Sequence, residues 1–285
     1  MPEPHMFMDM SDPPVFIDLT GARIPYPTIV GYGSSSVVIK HDGNAIKLPL
    51  RHPDSTRAQV AESVDTIRVE QLIYVRLQPL ANRTSCPEVL KWINFSFFSS
   101  ELELMRAGTL RNLLDRALIP PPVYIKKAWM RQLTRGMLYI HSRNVLVVDV
   151  RSRNILLTDD LRLQYCDFGE SSLLPTNTCL DYVNDAGYTM KLDIALLGAI
   201  FYEISTGNKC DVNLFLRNSR LYIRMPPQWP DRWNLPSTVG VLFGGIIERC
   251  WMKTEHGGFR NARELDAAFD RIEAGIDSGD EPVWA

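Results

Sequence analysis

The stretch VVDVRSRNILL, Val147 to Leu157, places an aspartate five residues ahead of an asparagine and then runs into apolar residues. Short β-type runs flank it, VLVV (145–148) before and LRLQYC (161–166) after. Thirteen residues beyond Asn154 comes DFG, Asp167 to Gly169. Three oxygen-bearing side chains therefore fall on loops beside short strands. Moving a phosphoryl group requires a carboxylate at the incoming hydroxyl and oxygen ligands for Mg²⁺. Asp149 fits the first role, and Asn154 and Asp167 fit the second. The competing reading is a pair of turns with Asx-type caps. The combined spacing makes that the minority reading.

Upstream, GYGSSSVV carries Gly31 and Gly33 between two β-type runs, with Ser36 where a third glycine would complete a phosphate loop. Glycine lets backbone approach phosphate oxygens, but an ordinary hairpin explains this stretch as well. NAIK places Lys47 in a β run, where a lysine usually faces solvent. From Ser55 to about Leu80, Val60, Val64, Ile67, Leu72, Val75 and Leu77 recur at helical spacing, with Glu70 between them. Glu70 is placed to pair with Lys47, although any helix has solvated glutamates. ELELMRAGTL (101–110) reads as a strand entering an extended connector.

Further β-type runs are EVLKWINF and SSELELM. Beyond Gly108 the helical candidates are TLRNLLDRAL, YIKKAWMRQLTRGMLYIHS, KLDIALLGAIFYEIST, STVGVLFGGIIERCW and NARELDAAFDRIEAG. The expected organisation is α+β and bilobal. Residues 1–24 form a tail, 25–103 a β-rich lobe, 104–108 a hinge, 109–275 a larger helical lobe, and 276–285 a second tail. A cleft between lobes is the expected place for a ligand.

The 285 residues carry a net charge of −2, with 45% hydrophobic and 22% charged side chains, which is ordinary globular composition. No basic excess points to nucleic acid. Five scattered cysteines without a C-x-x-C favour a reducing compartment over a disulfide framework or zinc site. The opening MPEPHMFMDMSDPP lacks the pattern of a signal peptide. The longest apolar run, IALLGAIFYEI, is interrupted by Glu203 and is too short to span a bilayer. The expectation is a soluble, monomeric protein of the cytoplasm or nucleus, with no nucleic-acid or membrane partner.

In order, these motifs resemble the eukaryotic protein kinases over roughly residues 28–272: glycine loop, strand lysine, helix glutamate, hinge, catalytic loop and D-F-G. YTMKLDIALLGAIFYEISTG is similar to the family's central helix, with Asp193 where a residue braces the catalytic loop. RCWMKTEHGGFRNARELDAAF is similar to its closing segment, with Arg260 at an ion-pairing position. Among kinases the chain looks most like divergent single-domain kinase-like proteins of fungi. The resemblance implies ATP and Mg²⁺ as cofactors and a protein substrate. It implies that Gly31 and Gly33 cover the phosphates and that Lys47, paired with Glu70, holds the α- and β-phosphates. Glu103 to Met105 would bind adenine through backbone beside gatekeeper Leu102. Val38, Ala45 and Leu156 would sandwich the ring. Asp149 would orient or deprotonate the acceptor hydroxyl, and Asn154 and Asp167 would ligate Mg²⁺.

The departures are equally specific. The family's H-R-D is Val147-Val148-Asp149. Valine in place of the arginine removes a buried cation and the need for a phosphate on the activation segment to neutralise it. Arg151 stands where Ser/Thr kinases usually carry lysine and keeps a charge near the transferred phosphate, as a planar fork rather than a point charge. Arg153 is reminiscent of tyrosine-kinase loops. No A-P-E occurs; CLD (179–181) stands in its place, with Asp181 expected to face Arg260. The leading reading is an active protein kinase, Ser/Thr rather than Tyr. The alternatives are a pseudokinase scaffold and a small-molecule kinase, the latter opposed by D-F-G and the DIALLG helix.

Overall fold

The computed structural model describes residues 14–79, 86–180, 187–212, 229 and 231–275. The chain divides into two compact units, one comprising Met1–Gln71 with Trp92–Leu104 and the other Leu72–Lys91 with Met105–Ala285.

The first unit is built on a five-stranded antiparallel sheet, ordered β1-β2-β3-β5-β4. Its strands are β1 (Ile29–Tyr32), β2 (Ser36–His41), β3 (Asn44–Pro49), β4 (Trp92–Phe95) and β5 (Ser100–Leu102). Asp42 and Gly43 both take positive φ, 47° and 84°, which suits a two-residue hairpin turn between β2 and β3. Burial alternates along β3, so Ala45, Lys47 and Pro49 share the covered face. Phe16, Ile24 and Val37 form a small core, joined by Ile29, Ile39, Leu48 and Leu50.

That core corrects the assignment of residues 1–24 to a tail. Residues 14–24 are folded: Ile17 donates to the Arg51 carbonyl at 3.0 Å and Ile24 to that of Phe16 at 2.9 Å. Phe16 is 1% exposed, its ring 5.1 Å from that of Tyr32 and 5.0 Å from that of His52. Burying one aromatic ring supplies enough apolar area to order a short segment that composition alone makes look irregular. Helix α1 (Arg57–Leu77) gives its first turns to this unit and its last to the second.

The second unit is mostly helical: α2 (Leu110–Arg116), α3 (Val123–Ser142), α4 (Met190–Thr206), α5 (Gly244–Trp251) and α6 (Ala262–Glu273). Thr109 caps α2 by accepting from the Asn112 N–H at 3.1 Å. Helix α2 ends at Arg116, ahead of the proline run 120–122, and α3 begins directly after that run. Helix α4 is buried along nearly its whole length. Gly198 lets α5 approach it, since a Cβ there would lie 2.6 Å from Cys250 Cβ. Trp251 Nε1 seals the contact by donating to the Ala195 carbonyl at 3.2 Å. The run STVGVLFGGIIERCW becomes helical only at Gly244, because Phe243 takes φ 57° and the chain first folds back on Thr238. Two small antiparallel pairs complete the unit: β6 (Val145–Leu146) with β9 (Ser172–Leu173), and, between them in the chain, β7 (Ile155–Leu157) with β8 (Leu163–Tyr165). They hold the 147–154 loop between β6 and β7, and Asp167 between β8 and β9.

Candidate functional site

The residues singled out by sequence divide between the two units. In the first, Lys47 on β3 and Glu70 on α1 meet: Nζ lies 2.8 Å from Oε2, with the side chains 5% and 0% exposed. A lysine that strand statistics would turn to solvent is instead drawn inward by a buried carboxylate. Such a pair holds both groups in one geometry, and removing either partner strands the other charge. Val38 lies opposite Lys47 in register and Ala45 opposite Leu102, so the four side chains share one face of the sheet on rungs two residues apart. Glu103 follows β5 directly, and Met105 opens the next stretch of the second unit.

Gly31 lies in β1, and Gly33 in the turn after it donates to the Ser36 carbonyl at 2.9 Å. Neither glycine has a positive φ, and an added Cβ at either would meet nothing within 4 Å. Neither backbone conformation nor internal packing therefore calls for glycine there. The space they leave is available to an outside group, which is what phosphate approach requires.

In the second unit the loop is organised from below by Asp193, on the first turn of α4 and 0% exposed. Its Oδ2 accepts from the Val147 N–H and faces His141 Nε2, each at 2.9 Å, while Oδ1 accepts from the Val148 N–H at 2.9 Å. The Tyr188 hydroxyl lies 3.2 Å from Asp193 Oδ1 and 3.1 Å from the Val148 carbonyl. Burial first, and the Asp193 charge second, push the Tyr188 phenol well above its ordinary range, so it stays a donor. Ser171 Oγ donates to the Val147 carbonyl at 2.8 Å. His141, Ser171 and Tyr188 were not singled out by sequence; their roles depend on partners far along the chain, and no local spacing marks them.

Val148 takes φ 68°, and the Asp149 N–H donates to the Val147 carbonyl at 2.8 Å. This is a γ-turn with a β-branched residue at its positive-φ centre, a conformation that costs on the order of 1–3 kcal/mol. The two N–H bonds to Asp193 and the contact to Tyr188 hold it in place. The turn projects Asp149, whose side chain is 22% exposed. Asn154 Nδ2 donates to Asp149 Oδ2 at 2.8 Å and to its carbonyl at 3.0 Å. Both amide hydrogens of Asn154 are thereby used, which leaves Oδ1, a hard acceptor, uncommitted among the described residues. Arg151 Nε sits 2.6 Å from Asp149 Oδ1, and the more distant Arg153 reaches 3.7 Å from Oδ2; both guanidiniums are about half exposed.

Asp167 also takes a positive φ, 60°, and is exposed. The preceding residue ties it to the loop: Cys166 N–H donates to the Asn154 carbonyl at 3.0 Å, and its Sγ lies 3.2 Å from the same oxygen. Phe168 is buried and meets Tyr74 edge-on, with ring centroids 5.2 Å apart. Leu156 lies in β7, bridged to Thr109. One Asp and one Asn, both oxygen donors, fit Mg²⁺, which keeps few protein ligands. The buried Lys47–Glu70 pair fits the role of an ammonium held in place for phosphate. Of the further expectations, Asp181 lies outside the described residues. Arg260 pairs with Glu264 on α6, and its N–H reaches Glu264 Oε2 at 2.8 Å. Those hydrogen bonds hold the Glu264 carboxyl below its ordinary range.

Comparison with known proteins agrees with this geometry. The protein kinase domain model matches residues 29–210, more than half of the chain. The chain is 34% identical over 149 residues to the serine/threonine-protein kinase KIC1 of Saccharomyces cerevisiae, covering 46% of this chain and 13% of that protein. It is 27% identical over 183 residues to the mitogen-activated protein kinase mpk-1 of Caenorhabditis elegans, covering 51% and 41%. It is 27% identical over 165 residues to the serine/threonine/tyrosine-protein kinase HT1 of Arabidopsis thaliana, covering 52% and 41%. The matched stretches thus span less than half of these relatives' own lengths. Among the described residues, no helix is long and apolar enough to cross a membrane.

Proposed function

We propose that this chain, which belongs to the eukaryotic protein kinase superfamily, is an active phosphotransferase that moves the γ-phosphate of Mg-ATP to a protein hydroxyl. Ser/Thr acceptors are preferred to Tyr, in keeping with the relatives' names. Activity does not require phosphate on the activation segment. The observation that carries the reading is the loop at Asp149. Its backbone is fixed by Asp193, and its carboxylate is oriented by Asn154 at 2.8 Å.

Mg-ATP, when bound, supplies the electrophilic phosphorus and the charge neutralisation at its phosphates. Lys47, steadied by Glu70, would hold phosphate oxygens, and Asn154 Oδ1 and the Asp167 carboxylate would hold the metal. Asp149 accepts a hydrogen bond from the acceptor hydroxyl and takes its proton as attack proceeds. Arg151 lies against Asp149 in a 2.6 Å contact and would offer a cation to the transferred group. Valine at 148 leaves no buried guanidinium to neutralise, so the loop reaches its working shape without a phosphate ligand.

The test is phosphotransfer from Mg-ATP to a generic protein acceptor, wild type against Asp149→Asn. The expected loss is on the order of 10²–10⁴-fold. Lys47→Met should also abolish transfer, although it strands Glu70 and so perturbs folding as well. Equal labelling by wild type and Asp149→Asn would overturn the reading. The loss of the histidine and arginine before Asp149 favours a second reading, a pseudokinase scaffold. Thermal stabilisation by nucleotide without turnover would select it. Turnover of a small amino alcohol with no protein labelled would select a small-molecule kinase.

A further inference from the structure

The link from α2 into α3, RALIPPPVYIKK (116–127), lies wholly within the second unit and takes no part in the phosphotransfer chemistry. It is the most open apolar stretch among the described residues. Leu118 is 99% exposed, Ile119 84% and Tyr124 71%, and Pro120 and Pro122 are exposed beside them. A contiguous apolar surface left in water marks a contact site. Starting a helix accounts for one proline at its head. It does not call for three, nor for the uncovered leucine, isoleucine and tyrosine around them.

The shape of the link is set by its prolines. Proline fixes φ near −65°, and a residue ahead of a proline is pushed to an extended ψ. Both constraints act on Pro120 and Pro121, and Pro122 itself has φ −56° and ψ 150°. The three prolines therefore form one turn of polyproline II. Among the described residues, the backbone of 118–121 makes no hydrogen bond, so its carbonyls stand open to an outside donor. The Pro122 carbonyl instead accepts from the N–H groups of Ile125 and Lys126, at 3.0 and 3.1 Å, and the chain turns directly into α3. Tyr124 is the second residue of that helix.

Pro121-Pro122-Val123-Tyr124 is thus a rigid ligand in two parts, a polyproline edge and an aromatic ring on the helical turn that follows it. A preformed polyproline turn fits between the rings of an aromatic groove and loses little entropy on docking. A tyrosine adds a large flat face with a polar tip. Residues 116–127 carry Arg116, Lys126 and Lys127 and no carboxylate, so the complementary groove has an acidic rim. We propose that this link docks a partner domain of the WW type, with Pro121 and Pro122 between the groove's aromatic rings and Tyr124 in the adjoining slot. The assignment stands whether or not the chain turns over ATP.

Titration of an isotope-labelled WW domain with the unlabelled full chain tests it, read at the indole resonance of the groove tryptophan. The expected result is a saturable shift at one-to-one stoichiometry, reversed by a synthetic peptide of residues 116–127. Tyr124→Ala and Pro121→Ala should each weaken binding by about tenfold, equivalent to about 1.4 kcal/mol. Both side chains lie outside the core, so circular dichroism and thermal midpoint should match wild type. No shift with the folded chain at millimolar concentration overturns the proposal, even where the free peptide binds. Equal binding by wild type and both variants overturns it too. A shift seen instead in an SH3 domain, lost in Arg116→Ala and kept in Tyr124→Ala, would assign the prolines to another module and would also overturn it.

Discussion

Asp193, beneath the 147–154 loop, and Asp149, on it, are treated in opposite ways. Asp193 has no exposed side-chain surface, and its oxygens are met by two backbone N–H groups, an imidazole and a phenol. Asp149 is 22% exposed and is met by one amide and two half-exposed guanidiniums. A buried carboxylate with fixed partners sets backbone shape, because its donors have no alternative in a dry interior. A partly exposed one beside half-exposed cations can exchange partners and so can meet a substrate. The same residue type serves architecture in one place and is available for chemistry in the other, and its surroundings decide which.

The comparison breaks first at Asp193. Asp193→Ala would leave the N–H groups of Val147 and Val148 unpaired, and stability should fall by about 3–5 kcal/mol in denaturant titration. Asp149→Asn, by contrast, should leave stability within about 0.5 kcal/mol. Equal losses at the two positions would erase the distinction.

Tyr188 sharpens it at smaller scale. Tyr188→Phe should cost about 1 kcal/mol near neutral pH. The folded phenol is raised above its unfolded value near 10, first by burial and then by Asp193. Its contribution is therefore complete below pH 10 and is lost as pH rises beyond that value. Stability measured from pH 9 to 11 should fall less steeply in Tyr188→Phe than in wild type. Part of the slope should remain, because burial raises the Tyr165 phenol as well.

The smallest effect is expected at the turn that rests on Asp193 and projects Asp149. Val148→Gly relieves a positive φ at the loss of a half-buried side chain, and stability should rise by up to about 1 kcal/mol. A loss of 2 kcal/mol or more would mean that the valine is retained for packing and that the turn is not strained.

Much of this was legible in the sequence. The five-residue interval from Asp149 to Asn154 and the D-F-G after it located the loop, because a short hairpin-flanked site is specified by local spacing. Lys47 and Glu70 could be paired only in company with the other motifs, since a strand lysine and a helix glutamate are individually ordinary. The support beneath the loop was less legible. Asp193 was placed by its resemblance to the family's helix, whereas His141, Ser171 and Tyr188 reach the loop from distant parts of the chain and follow no period. The folded segment 14–24 was missed because a single buried ring, Phe16, decides it against a proline-rich composition. The shortened α5 was missed because a positive φ at Phe243 overrides an otherwise continuous apolar pattern.

The central claim is that the Asp149 loop works without an anion to set it, because valine stands where a buried cation would need one. The most direct measurement is the initial rate of Mg-ATP phosphotransfer by protein freed of all phosphate with a phosphatase, with Asp149→Asn as the blank. The account predicts a rate equal to that of untreated protein and far above the blank. A rate that falls to the blank after dephosphorylation, and returns on rephosphorylation, would contradict it.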